Sequence, residues 1–152
     1  MNISDMTRNF VTTSVEETIA LGRKLGKVLR PGDVVALDGD LGAGKTVITR
    51  GIAEGLGLIS EDVCSPTFTI VNEYTEPSDK IPLFHFDTYR LSGEDDFLAA
   101  GLDEYFYRGG VCVIEWSSVI EGLLPDNTIK ITIRGNGDKR DITIDDPEER
   151  IC

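Results

Sequence analysis

The sequence predicts an α/β domain of three layers, whose central sheet is mixed and mostly parallel and carries antiparallel hairpins. Three observations predict it. An apolar run, Val34 to Leu37, leads into a glycine-rich loop and then into a helical pattern, which is the strand, loop and helix order of an α/β unit. A second apolar run, Val111 to Ile114, is short and lacks polar alternation, so it reads as a central parallel strand buried on both faces. Two further stretches, 68–86 and 129–144, alternate apolar with polar side chains and fold back on themselves as hairpins.

The loop is the most specific feature. Residues 39–46, Gly-Asp-Leu-Gly-Ala-Gly-Lys-Thr, fit GxxxxGK[ST]. Gly39, Gly42 and Gly44 allow the backbone to curl so that successive N–H groups point at one phosphate group, with the positive end of a helix behind them. Lys45 would reach the β- and γ-phosphates. The Thr46 hydroxyl would hold Mg²⁺, which takes few protein ligands and fills its shell with phosphate oxygens and water. A dinucleotide fingerprint is not an equal rival, because Val47 stands where GxGxxG requires glycine or alanine. The predicted fold is therefore P-loop NTPase-like, with residues 1–152 as a single domain.

Taken in order, residues 1–12 read as a loose N-terminal arm, with Phe10 and Val11 able to form a short edge strand. Ser14-Val15-Glu16-Glu17 is a capping box that opens a first helix, whose apolar face is Leu21, Leu25, Val28 and Leu29. Pro31-Gly32-Asp33 turns into the loop strand. Ile48, Ile52 and Leu56 give the loop helix its buried stripe, and Gly57 ends it. Phe68 to Tyr74 and Ile81 to Phe86 form the first hairpin, broken by Pro77 and Asp79. Ser92 is a cap for an acidic helix, and Gly101 to Tyr107 reads as a second short one. Ile129 to Ile133 and Ile142 to Ile144 make the last hairpin around Gly135-Asn136-Gly137-Asp138, and residues 146–152 are a polar tail.

Composition narrows the partners. With 27 acidic and 15 basic residues the net charge is −12, which opposes binding to phosphate backbones and anionic lipid. A protein partner fits better than nucleic acid. The three cysteines, Cys64, Cys112 and Cys152, are odd in number and lack CxxC spacing, which fits a reducing cytoplasm rather than a disulfide framework or zinc site. No apolar run approaches the roughly 18 residues of a membrane span.

A phosphate loop needs a carboxylate to complete its magnesium shell, commonly from the end of a neighbouring strand. Glu115, closing the run Val111 to Ile114, is the metal-side candidate. Asp87, ending the first hairpin, is placed to orient a water or accept its proton. Trp116 can cover the site with its ring, and the Thr67 hydroxyl can sense a γ-phosphate as switch threonines do. His85, the single histidine, suits a supporting role better than proton transfer. Without an NKxD segment or a DxxG switch, adenine is favoured over guanine. A small phosphate-loop kinase would use Asp87 as base towards a hydroxyl, but lacks an arginine-rich lid here, and a non-catalytic nucleotide-sensing adaptor is a further alternative.

Gly-Asp-Leu-Gly-Ala-Gly-Lys-Thr (39–46), Ser-Pro-Thr-Phe-Thr-Ile-Val-Asn-Glu-Tyr (65–74), His-Phe-Asp-Thr-Tyr-Arg-Leu (85–91) and Ile-Glu-Trp (114–116) together resemble the TsaE (YjeE) family of bacterial ATPases, over about residues 13–145. The resemblance implies that Asp40, Leu41, Gly42, Ala43, Gly44, Lys45 and Thr46 cradle ATP phosphates, and that Thr46 and Glu115 bind Mg²⁺. It also implies that Asp87 and Trp116 matter for turnover. By the same resemblance the chain would work with TsaB and TsaD proteins, where ATP hydrolysis supports repeated threonylcarbamoyl transfer to adenosine in tRNA. One departure stands out: Ser117-Ser118 follows Glu-Trp where many members of the family carry Pro and an acidic residue.

Overall fold

The structure, a computed structural model, describes residues 7–39, 43–64, 66, 70–136 and 138–151, with the backbone alone at residues 43 and 136. Seven strands are present among these residues: β1 (Thr7–Thr12), β2 (Val34–Gly39), β3 (Val71–Tyr74), β4 (Leu83–Asp87), β5 (Val111–Glu115), β6 (Ile129–Asn136) and β7 (Lys139–Asp145). They form one sheet in the order β1-β7-β6-β2-β5-β4-β3. β6, β2, β5 and β4 are parallel neighbours, whereas β3 pairs antiparallel with β4, and β7 antiparallel with both β6 and β1. β1 consequently points the same way as the parallel core, so the mixed, mostly parallel sheet expected from the patterning is what forms.

Alternation along the central strands sorts the core into two layers. Val35 and Leu37, with Val111 and Val113, face one side, while Val34, Cys112 and Ile114 face the other. The first side is covered by α1 (Val15–Gly26) and α2 (Ala43–Gly55). The second is covered by the short α3 (Glu94–Ala99) and two 3₁₀ segments, Leu102–Tyr107 and Ser117–Leu123. Three layers result.

α1 starts as its capping box predicts. The Ser14 hydroxyl oxygen accepts from Glu17 N–H at 3.1 Å, but the Glu17 carboxylate reaches Thr13, one residue earlier than the simple box, taking its N–H and hydroxyl at 3.0 Å each. α1 then packs on α2 across a seam of glycines, with the Arg23–Glu54 ion pair at 3.5 Å beside it. Gly22 and Gly26 on α1 meet Gly51 and Gly55 on α2, so close that a β-carbon on any of the four would stand 2.3–2.5 Å from a backbone carbonyl oxygen. Because Gly22 meets Gly51 and Gly26 meets Gly55, the helices run parallel, and their N-termini lie side by side.

Several expectations are corrected. Residues 7–12 of the supposed arm are a full edge strand paired residue for residue with β7. The supposed polar tail is docked: Ile151 is buried, and the Arg150 guanidinium pairs with buried Asp33 and donates to the Val28 carbonyl oxygen. Ser92 does not cap α3; the cap position is Gly93, and the Asp96 carboxylate instead accepts from the Ser92 N–H and hydroxyl, which holds it below the usual carboxylate range. The last hairpin is tighter than its glycines suggested, since pairing continues to Asn136 opposite Lys139. The first hairpin is shorter, pairing only Val71–Tyr74 with Leu83–Phe86; residues 67–69 lie outside the described residues. No helix among the described residues is long and apolar enough to cross a membrane.

Candidate functional site

The phosphate-loop strand is β2, and its last residue explains the first glycine of the motif. Gly39 has φ +145°, and a β-carbon there would lie 2.0 Å from the Ile133 carbonyl oxygen of β6, so no other residue fits. Asp40, Leu41 and Gly42 lie outside the described residues. α2 begins at Ala43, which places Gly44, Lys45 and Thr46 in its first turn, where N–H groups lack helical acceptors and the helix dipole is positive. Thr67 also falls outside the described residues.

Strand register gathers the acids. Asp87 on β4 pairs with Glu115 on β5, which pairs with Leu37 on β2, so both carboxylates stand at the carboxyl ends of adjacent parallel strands on the α2 side of the sheet. Glu115 is buried and makes two contacts: Oε2 accepts from His85 Nε2 at 2.6 Å, and Oε1 faces Lys45 Nζ at 3.7 Å. Lys45 is itself buried and lies 5.3 Å from the centroid of the Trp116 ring. Lys45, Glu115, His85 and Trp116 thus form one cluster, with Asp87 beside it. The Asp87 carboxylate accepts from Tyr89 N–H at 3.0 Å.

Sequence reasoning missed the frame of this cluster. Trp116 has φ +61°, a left-handed conformation that costs roughly 1–2 kcal/mol without glycine. Both flanking strands hold it there. The Thr88 hydroxyl lies 2.7 Å from the Trp116 carbonyl oxygen and 3.0 Å from that of Glu115. On the other side, Asp38 takes the Ser117 N–H at 3.2 Å and the Ser117 hydroxyl at 2.7 Å. A proline at position 117 could supply neither donor. The only sequence signals for this brace were the position of Asp38 directly before Gly39 and the departure at Ser117.

A half-open crevice flanks the loop helix on the side away from the acids. It is lined by Ser14, Val15, Thr18, Gly44, Val47, Asp138 and Arg140. The Arg140 side chain, on β7, lies against the helix start, its Nε 3.4 Å from the β-carbon position of Gly44. No pattern in the sequence linked residue 140 to the phosphate loop; only the β6–β7 register brings it there.

The donor set suits magnesium. A hydroxyl at the first turn of α2 and a single buried carboxylate oxygen turned towards Lys45 would be hard oxygen ligands, few enough to leave room for phosphate and water. The family comparison covers the loop and both strand ends. A model described as threonylcarbamoyl adenosine biosynthesis protein TsaE matches residues 12–142. The chain belongs to the TsaE family. It is 49% identical over 133 residues to the tRNA threonylcarbamoyladenosine biosynthesis protein TsaE of Bacillus subtilis, covering 87% of this chain and 81% of that one. It is 42% identical to the protein of the same name from Treponema pallidum, covering 88% and 97% respectively. Among solved structures, the Bacillus subtilis protein YdiB superposes with a TM-score of 0.73 at 39% identity, over 95% of this chain and 88% of that one.

Proposed function

We propose that this TsaE-family chain is the Mg²⁺-dependent ATP-binding and ATP-hydrolysing component of the tRNA N6-threonylcarbamoyladenosine machinery, acting with a TsaB-TsaD type protein pair. The observation that carries the reading is the convergence of Lys45, Glu115 and Asp87, where the loop helix meets the carboxyl ends of β5 and β4. The names of its relatives support the tRNA connection.

In this reading Lys45 and the first-turn N–H groups of α2 hold the β- and γ-phosphates, and Thr46 and Glu115 hold the metal. Bound magnesium would neutralise charge that develops on the phosphate oxygens. Asp87 orients the attacking water and accepts its proton, so that ATP and water give ADP and phosphate. Trp116, held in its left-handed turn, covers Lys45 and limits water at the phosphates. The nucleoside half points the other way. With the acids on β5 and β4 to one side of β2, the γ-end of the nucleotide lies there, and the base extends towards β6 and β7 into the crevice beside Arg140.

The acidic balance supports a protein partner over a grip on tRNA itself. The test is phosphate release from ATP, measured alone and with TsaB and TsaD, beside co-purification in ATP and in ADP. Slow turnover that rises with the partners, and association that depends on ATP, are expected. Strict dependence on a small-molecule acceptor would make the chain a kinase, and no turnover under any condition a nucleotide-sensing adaptor.

A further inference from the structure

The two oxygens of Glu115 are held in unlike ways. Oε2 accepts a short hydrogen bond from His85, whose ring is fully buried. Oε1 faces Lys45 at 3.7 Å, too far for a hydrogen bond, so charge alone holds that contact. His85 sits mid-strand opposite Val113 and Asn72 and cannot leave without unpacking the sheet. Lys45 extends on a flexible four-carbon stem. One contact is fixed and the other is free to exchange.

The histidine also needs a reason to be there. Its Nδ1 is buried without a hydrogen-bond partner among the described residues, so the bond to Glu115 is what compensates for burying the imidazole. Lys45 and Glu115 side chains are only 7% and 5% exposed, and neither charge can lose its partner cheaply.

We propose that His85 is a positioning residue that pins Oε2 of Glu115, and that Oε1 passes from Lys45 to magnesium when nucleotide draws the lysine onto its phosphates. This rests on the ATP and magnesium reading above and adds a coupling to it. Withdrawing Lys45 leaves Oε1 of a buried carboxylate without its counter-charge while Oε2 stays on His85, so metal-free ATP is penalised and a divalent cation restores the balance. Nucleotide and metal then bind as a pair.

The test is calorimetry of ATP binding in excess Mg²⁺ and in EDTA. The wild type is compared with Glu115→Gln, Asp87→Asn, His85→Leu and His85→Gln, each checked for folding by circular dichroism. Wild type should bind at least tenfold tighter with the metal. Glu115→Gln should bring that ratio close to one, mainly by tightening metal-free binding, because Lys45 is released from its partner. Asp87→Asn removes an equal charge from a group that accepts from Tyr89 rather than facing Lys45, and should not tighten it. His85→Leu should lower the ratio by weakening the magnesium arm, and His85→Gln, whose amide N–H can reach the same oxygen, should restore it. Metal-free affinity of Glu115→Gln no tighter than that of Asp87→Asn, or a wild-type ratio in folded His85→Leu, overturns the exchange while leaving the ATP reading intact. If His85→Leu does not fold, the comparison of Glu115 and Asp87 variants decides. A wild-type chain that binds no ATP in either buffer overturns the nucleotide reading, and the exchange with it.

Discussion

Gly22 of α1 and Gly51 of α2 face each other with no side chain between them: a β-carbon on Gly22 would stand 3.0 Å from the Gly51 α-carbon and 2.5 Å from the Ile48 carbonyl oxygen. Neither obstacle can move without shifting a helix. Since α2 starts at the phosphate loop, this seam sets where the first turn of α2 sits. Gly22→Ala or Gly51→Ala should therefore cost about 1–3 kcal/mol, roughly 2–4 °C of Tm per kcal/mol at this size, read by thermal unfolding. Gly93→Ala is the control: its φ is 166°, no atom lies within 4 Å of the added carbon, and Tm should hold or rise slightly.

Lys45 lies beneath the ring of Trp116, the chain's single tryptophan. A cation leaving that face changes the field on the indole. ATP with Mg²⁺ should shift the intrinsic fluorescence of the wild type, and Lys45→Ala should shift the resting emission while weakening ATP binding by about tenfold or more, the range of a lost charge-assisted contact. Unchanged affinity in the Lys45 variant would defeat the phosphate-loop reading.

Asp87 and Glu115 are register partners with different surroundings, and their variants should part accordingly. Asp87→Ala should lower turnover by about 10²–10⁴-fold while sparing ATP affinity, as expected of a group that acts on water. Glu115→Ala should instead weaken the magnesium dependence of binding. The opposite pattern would exchange their roles.

How much was legible follows from what kind of signal each feature leaves. β2, its loop and α2 were readable because a strand, a glycine loop and a helix stripe are local and periodic, and β5 because burial on both faces forces an uninterrupted apolar run. Glu115 and Asp87 were found because a strand end is a local mark too. The edge strand β1 was underestimated: Arg8 and Asn9 interrupt its alternation, and its partners lie 128 to 138 residues away in β7. The docked tail was missed because Ile151 is its one buried apolar residue among the described ones, and the other buried position, Asp146, reads as polar surface. The Asp38–Ser117 brace and the approach of Arg140 to Gly44 depend on register between distant strands, which no single stretch encodes.

Cys112 lies inside β5 among apolar side chains, and burial pushes its thiol up to about 12, whereas Cys64 is exposed. Alkylation at neutral pH should modify Cys64 and leave Cys112 untouched until the chain unfolds, as peptide mass mapping would reveal. The same shift sets a direction with pH. Above about 9 the unfolded thiol loses its proton while the folded one keeps it, so the contribution of Cys112 to stability is full below that pH and declines as pH rises towards 12. Cys112→Ser or Cys112→Ala should remove that alkaline component of the unfolding profile.

Arg140 offers the sharpest separation between the phosphate and nucleoside halves of the proposed nucleotide site. Its side chain rests at the start of α2, on the flank of β2 opposite Glu115, in a crevice with apolar Val15 and Val47 and the exposed carboxylate of Asp138. A guanidinium plane stacks well on a heterocyclic base, and the valines suit an apolar ring more than a phosphate. If this is the base site, Arg140→Ala should weaken ATP binding by about 0.5–2 kcal/mol, roughly two- to thirtyfold, and leave binding of inorganic tripolyphosphate with magnesium nearly unchanged. Arg140→Lys keeps the charge without the plane and should recover only part of the loss. Equal losses for ATP and tripolyphosphate would place Arg140 on the phosphates instead, and no loss for either would remove the crevice from the nucleotide site.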